Sequence, residues 1–98
     1  MTIEKAQSGT SYTLALTGRL DTVTAPQLEA ELKQCFVDAS ELILDFKGLN
    51  YISSAGLRVL LLSQKIMNKQ GKMILLNVCE TVQEVFEMTG FSDILNIE

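Results

Sequence analysis

The residues with most capacity for chemistry stand in two polar stretches of an otherwise aliphatic chain. One is Asn50-Tyr51-Ile52-Ser53-Ser54-Ala55-Gly56-Leu57, where two hydroxyls precede apolar residues at helical spacing. The other is Gly18-Arg19-Leu20-Asp21-Thr22-Val23-Thr24-Ala25. A serine in front of a helix has two uses. Its oxygen can accept a backbone N–H of the first turn, or its hydroxyl can take up a phosphoryl group. Capping is the commoner fate, and the spacing predicts Ser54 as N-cap, accepting from the N–H of Gly56 or Leu57. Gly56 then falls in the first turn, where glycine costs about 1 kcal/mol relative to alanine. Close approach by another molecule accounts for that cost, and so does tight packing of the helix start on a sheet. Asp21 reads as a turn carboxylate facing water. Asp45, inside an apolar run, is the least ordinary acid, and a hydrogen bond to a neighbouring loop suits it better than catalysis.

The 98 residues contain no histidine. That removes the commonest general base, the commonest metal ligand and any Ser-His or Cys-His pair. No cofactor or metal site is expected, and a binding or switching module ranks ahead of an enzyme. Eight Lys and Arg against twelve Asp and Glu give a net charge of −4, the wrong sign for a nucleic-acid binder. Cys35 and Cys79 form no C-x-x-C unit and sit among apolar residues, which suits two free thiols in a reducing compartment better than a long-range disulfide. No basic-then-apolar leader opens the chain, and no apolar run approaches the roughly 18 residues of a membrane span. The expectation is a cytoplasmic protein without membrane contact.

The elements that would position those residues follow from periodicity. Residues 3–7 and 12–17 read as strands, the second through its Tyr12/Leu14/Leu16 alternation, with Ser8-Gly9-Thr10 as the turn of a hairpin. Thr24-Ala25-Pro26-Gln27 has the form of a capping box with proline in the first turn, opening a helix through Leu28, Leu32, Cys35 and Phe36 to about Asp38. Residues 42–46 form a short apolar strand. A second helix carries Leu57, Leu60, Leu61 and Met67 and stops at Gly71 as a C-cap. Residues 73–78 form another strand. Thr81-Val82-Gln83-Glu84 is a second capping box, for a helix ending at Gly90, and residues 94–97 close the chain as a strand. The order ββαβαβαβ predicts one α/β domain over residues 1–98, with a mixed sheet and helices packed on it.

In that order, three motifs resemble the STAS domain of bacterial anti-sigma factor antagonists. Leu16-Thr17-Gly18-Arg19-Leu20-Asp21 with Thr24-Ala25 is similar to the family's L-T-G-x-L-D…T-A signature. Residues 45–57, ending Ser53-Ser54-Ala55-Gly56-Leu57, resemble its strand and D-S-S-G-L-type loop, and Val85-Phe86-Glu87-Met88-Thr89-Gly90-Phe91 resembles its C-terminal helix. The resemblance implies a non-enzymatic switch in transcription regulation. Ser54 would be phosphorylated by a partner that is both serine kinase and anti-sigma factor. The unphosphorylated form binds that partner, the phosphorylated form is released, and a serine/threonine phosphatase resets it. The family's Asp is replaced here by Ser53 and its following hydroxyl residue by Ala55, which makes Ser53 the alternative acceptor. The expected partner surface is Asp21, Thr22, Ser53, Ser54, Gly56, Leu57 and Arg58. Arg58, four residues beyond Ser54 on the same helical face, reads as a solvated charge or as a phosphate contact.

Two other readings compete. One is a STAS subunit of another partner-switching or stress-sensing assembly. The other is a carrier protein with a prosthetic arm on its serine, which demands a nearly all-helical chain.

Overall fold

The computed structural model describes residues 1–98. Its four-stranded sheet runs β1 (Thr2–Ser8), β2 (Ser11–Leu20), β3 (Glu41–Ile52) and β4 (Lys72–Leu76), adjacent in that order. β1 and β2 form the antiparallel hairpin, and β2/β3 and β3/β4 are parallel, joined by α1 (Ala25–Cys35) and α2 (Ser54–Gln70). α3 (Glu80–Thr89) and a single 3₁₀ turn, Phe91–Asp93, follow. The final strand is reduced to one parallel rung, Leu75 with Ile97, tied by Leu75 N–H to Asn96 O and Glu98 N–H to Leu75 O. The sheet and its crossovers rule out the helical bundle that a carrier demands.

Alternation decides which face is covered. Tyr12, Leu14 and Leu16 of β2 and Leu42, Leu44 and Phe46 of β3 point into one core with Leu28 and Leu32 of α1, Leu60 and Met67 of α2, and Phe86 of α3. All three helices therefore lie on one face of the sheet. The intervening Thr13, Ala15, Ile43 and Asp45 occupy the other and remain partly exposed. β1, at the edge, carries Glu4 and Lys5 in the exposed positions that discourage further strand pairing.

β3 is twice the predicted length because two bulges conceal its second half. Ala15 pairs with Asp45 but Thr17 with Gly48, and Gly18 pairs with Leu49 but Arg19 with Tyr51. Each step adds one residue to β3, so the inner positions run 42, 44, 46, then 49 and 52. Gly48 is required at the first bulge: a Cβ there would lie 2.7 Å from Thr17 Oγ1 and 3.0 Å from Leu16 O. The stretch read from sequence as a loop, Asn50 to Ile52, is thus strand.

Three helix boundaries depart from expectation. α1 ends at Cys35 rather than Asp38, which lies in the turn that follows. Gly71 does end α2, yet its φ of 172° is extended, so it is no left-handed cap. It is there because a Cβ would sit 1.9 Å from Ser40 O. Thr81 caps nothing, since α3 starts at Glu80 with Cys79 as N-cap; Gly90, at φ 80°, is the left-handed C-cap expected of it.

Candidate functional site

β2 and β3 finish side by side, and their last ladder contact is Ser53 N–H to Leu20 O at 2.9 Å. This contact brings the two polar stretches together at the carboxyl ends of the parallel strands, where α/β folds place their ligand and partner sites.

The loop after β2 is organised by Asp21. Its Oδ1 accepts from the backbone N–H of Val23 and Thr24, both at 3.0 Å, and Ala25 N–H reaches Asp21 O at 2.8 Å. The Thr24 hydroxyl points back, 2.8 Å from Arg19 O and 3.1 Å from Asp21 Oδ1, and accepts from Asp21 N–H at 2.9 Å. It makes no cap bond into α1, and Gln27 donates instead to Met1 O, so the predicted capping box does not form. The Thr24 N–H foremost, then the Thr24 hydroxyl, Val23 N–H and Arg19, hold the Asp21 carboxyl below its ordinary 3.8. Asp21 is therefore an ionised loop-former. Thr22 and Val23, both exposed, are what it presents outward.

The two serines have separate environments. Ser53 O accepts the first helical bond, from Leu57 N–H, so Ser53 is the N-cap residue and Ser54 the first residue of α2. Ser54 was expected one position earlier, as the cap; the extension of β3 to Ile52 moves the helix start. Ser53 makes no side-chain cap bond, and its Oγ is buried without any hydrogen-bond partner. Ser54 is exposed. Its neighbours Gly56 and Leu57 face inward and lie outside any docking surface. A Cβ on Gly56 would come within 2.7 Å of Leu20 Cγ and 2.9 Å of Ile52 Cγ1. Close packing of α2 on the strand ends explains this glycine, and no outside molecule is needed. Arg58 is exposed and takes part in neither of the chain's two ion pairs.

Between α1 and α2 runs a groove of about 260 Å³, with Thr22, Pro26 and Glu29 on one wall and Ala55, Arg58 and Leu62 on the other. Ser54 stands at the head of the second wall.

Sequence reasoning missed one arrangement. The Arg19 guanidinium lies 3.9 Å over the Tyr51 ring, with Nε 3.8 Å from Asp21 Oδ2. Register makes this pair, and the bulges hide the register from the sequence. Asp45, by contrast, does what was expected of it: Oδ1 accepts from Asn77 Nδ2 at 2.9 Å and Lys47 N–H at 3.0 Å, which depresses its pKa. This contact holds the β4–α3 turn, where Asn77 adopts φ 58°. Cys35 and Cys79 are free thiols, the latter donating weakly to Leu49 O. No helix is long and apolar enough to cross a membrane.

The STAS domain family model matches residues 2–98. BtrV of Bordetella bronchiseptica, assigned provisionally as an anti-sigma factor antagonist, is 45% identical over 85 residues, covering 84% of this chain and 72% of its own. The anti-sigma-B factor antagonist of Staphylococcus aureus is 26% identical over 99 residues, covering 99% and 92%. Among solved structures, Bacillus SpoIIAA in its phosphorylated form superposes with a TM-score of 0.78 at 21% identity, covering 99% of this chain and 91% of that one.

Proposed function

The chain belongs to the STAS domain family, and from that premise we propose that it is an anti-sigma factor antagonist switched by phosphorylation at Ser54. In its unphosphorylated form it binds an anti-sigma factor that is also a serine kinase, which frees that protein's target for transcription. The kinase then transfers the γ-phosphoryl group of ATP to Ser54 Oγ. The hydroxyl proton passes to a base of the kinase, and ADP leaves. A serine/threonine phosphatase hydrolyses the phosphoserine and restores the binding form. The chain supplies no catalysis, and its work is done in the cytoplasm where these partners are.

The contrast between the two serines supports Ser54 over Ser53. A kinase must approach the accepting oxygen from outside; Ser54 is exposed, whereas Ser53 Oγ is buried beside Leu20 and the start of α2. The phosphate adds roughly −1.5 to −2 charges. At the first residue of a helix the unpaired N–H groups and the helix dipole accommodate that charge, so the fold persists. The loss falls on the complex, where a desolvated dianion must be accommodated. Taking binding from nearly complete to nearly absent requires about 5.5 kcal/mol of differential affinity.

The test is to capture the kinase from the source cell with the unmodified protein, purify it, and incubate the pair with ATP. Mass spectrometry should find one phosphate, on Ser54, and none on Ser54→Ala. Ser54→Asp should stay folded by circular dichroism yet lose the kinase. Phosphate on Ser53 in Ser54→Ala, with normal release, would sink the assignment.

A further inference from the structure

The charge of this chain is unevenly distributed. α2 carries Arg58, Lys65 and Lys69 and no acidic residue, a local charge of +3 on a protein whose total is −4. The remaining residues therefore sum to −7. All three cations are exposed, and none is engaged by the chain's two ion pairs, Arg19–Asp21 and Glu41–Lys72. Steps of four, four, three and four residues link Ser54, Arg58, Leu62, Lys65 and Lys69, so they form one ridge along the outer side of α2. Arg58 to Lys69 spans about 16 Å of helix axis. Leu62, 48% exposed, interrupts the cations on that ridge and forms a wall of the groove against α1. Elsewhere, acids face out.

We propose that this ridge is the docking surface for an acidic amphipathic helix of the kinase partner. An apolar side chain of that helix enters the groove beside Leu62, and its carboxylates pair with Arg58, Lys65 and Lys69. The proposal rests on the reading of Ser54 as the switch and names what the switch acts on. Charge complementarity selects the occupant: nucleic acid meets an acidic molecule overall, while an acidic helix of about three turns matches the length and sign of the ridge. The placement of Ser54 at the head of the ridge supplies the mechanism of release. A phosphoserine there offsets about half or more of the +3 and offers Arg58 an intramolecular acceptor at i, i+4. The partner's first carboxylate then loses its counter-ion as the dianion arrives. Phosphorylation in this scheme competes for the docking charges as well as blocking access.

The experiment is titration calorimetry of the purified kinase, obtained as above, against the full chain at two salt concentrations. Arg58→Glu/Lys65→Glu/Lys69→Glu should weaken binding about a hundredfold at low salt and abolish most of its salt dependence. Leu62→Asn should weaken it about tenfold without changing that dependence. Lys5→Glu and Lys33→Glu, off the ridge, should stay within about threefold of the parent, and urea melts should show every variant folded. Because Leu62 and the three cations are exposed, their substitution leaves the core intact. Binding of the triple variant within threefold of the parent overturns the ridge; if Ser54 is still phosphorylated and released in the parent, the switch stands without it. A parent that neither binds the kinase nor is phosphorylated overturns both. Light scattering on the same samples identifies the remaining occupant. A parent dimer that the triple variant dissolves, with kinase affinity unchanged, would assign the ridge to a second copy and refute the proposal.

Discussion

Gly71→Ala should be among the most damaging of the single-methyl additions to this protein, for reasons unrelated to helix capping. The added carbon would sit 1.9 Å from Ser40 O, 2.6 Å from Ser40 C and 2.9 Å from Ser40 Cα, all backbone atoms. Ordinary contact begins at 3.4 Å, so the two chains must part by about 1.5 Å. Ser40 cannot retreat freely. Its O accepts from Lys72 N–H at 3.1 Å, its N–H donates to Thr10 O at 2.9 Å, and the Ser40 and Thr10 hydroxyls are 2.6 Å apart. Overpacking costs about 1–3 kcal/mol and loss of the Lys72 bond about 0.5–1.5. Reduced unfolded-state entropy returns about 0.4–1 kcal/mol. The net is a loss of about 2–3 kcal/mol, which in a domain of this size lowers Tm by about 10–20 °C. Gly90→Ala is the matched control: it meets nothing within 4 Å and suffers only from φ 80°, a cost of about 1 kcal/mol. Urea unfolding followed by circular dichroism measures both. Should Gly71→Ala prove the milder of the two, the collision with Ser40 is not what selects glycine there.

Gly56→Ala sets helix propensity, a gain of about 1 kcal/mol, against contacts of 2.7 and 2.9 Å with buried Leu20 and Ile52. We expect a net loss of about 1 kcal/mol in the same melts, and a stabilised variant would show that α2 is free to shift. Asp21, Glu41 and Asp45 all titrate below their ordinary 3.8, 4.5 and 3.8. A depressed folded pKa contributes stability above the ordinary value that is lost as pH falls through the folded one, so urea midpoints should decline below about pH 4.5. Asp45→Asn should flatten part of that decline, and a midpoint independent of acid would contradict the assignment. Tyr12 is the converse case. Its hydrogen bond to Asp38, with burial and the charge of Asp38 adding to it, pushes the phenol up to about 12. Its stabilising contribution is complete below the ordinary 10.0 and is lost as pH rises through 12. Ultraviolet titration should show one tyrosinate forming near pH 12 and absent from Tyr12→Phe; ionisation of both tyrosines by pH 10 would exclude the Asp38 bond.

Local signals were legible wherever one face or one residue decides the outcome. The Tyr12/Leu14/Leu16 alternation marked β2, Gly90 marked the end of α3, and Asp45 was correctly assigned to a neighbouring loop. Capping motifs misled because hydroxyls have competing partners. Thr24 fits the box by spacing, yet Arg19 O and Asp21 lie within reach of its oxygen, and the chain never offers that oxygen to α1. The position of Ser54 was misplaced by one residue for a longer-range reason. The length of β3 depends on its pairing with β2, and two bulges break the alternation that would reveal it. Of the expected surface residues, Asp21, Thr22, Ser54 and Arg58 meet solvent at least in part. Gly56 and Leu57 are buried, because motif spacing does not say which side of a helix start faces the sheet.

The two bulges of β3 behave like a pair of mutually suppressing frameshifts. The first throws the strand out of phase, so that Leu49 replaces an even-numbered residue on the inner face; the second brings it back, so that Ile52 points inward as Phe46 does. The serines beyond inherit the restored phase. Deleting Asn50 alone should leave the strand uncorrected and turn the entry to α2 toward the wrong face, whereas removing one residue at each bulge should be far better tolerated. The orientation of the switch is thus encoded upstream of it, in a count of residues and not in any side chain near Ser54.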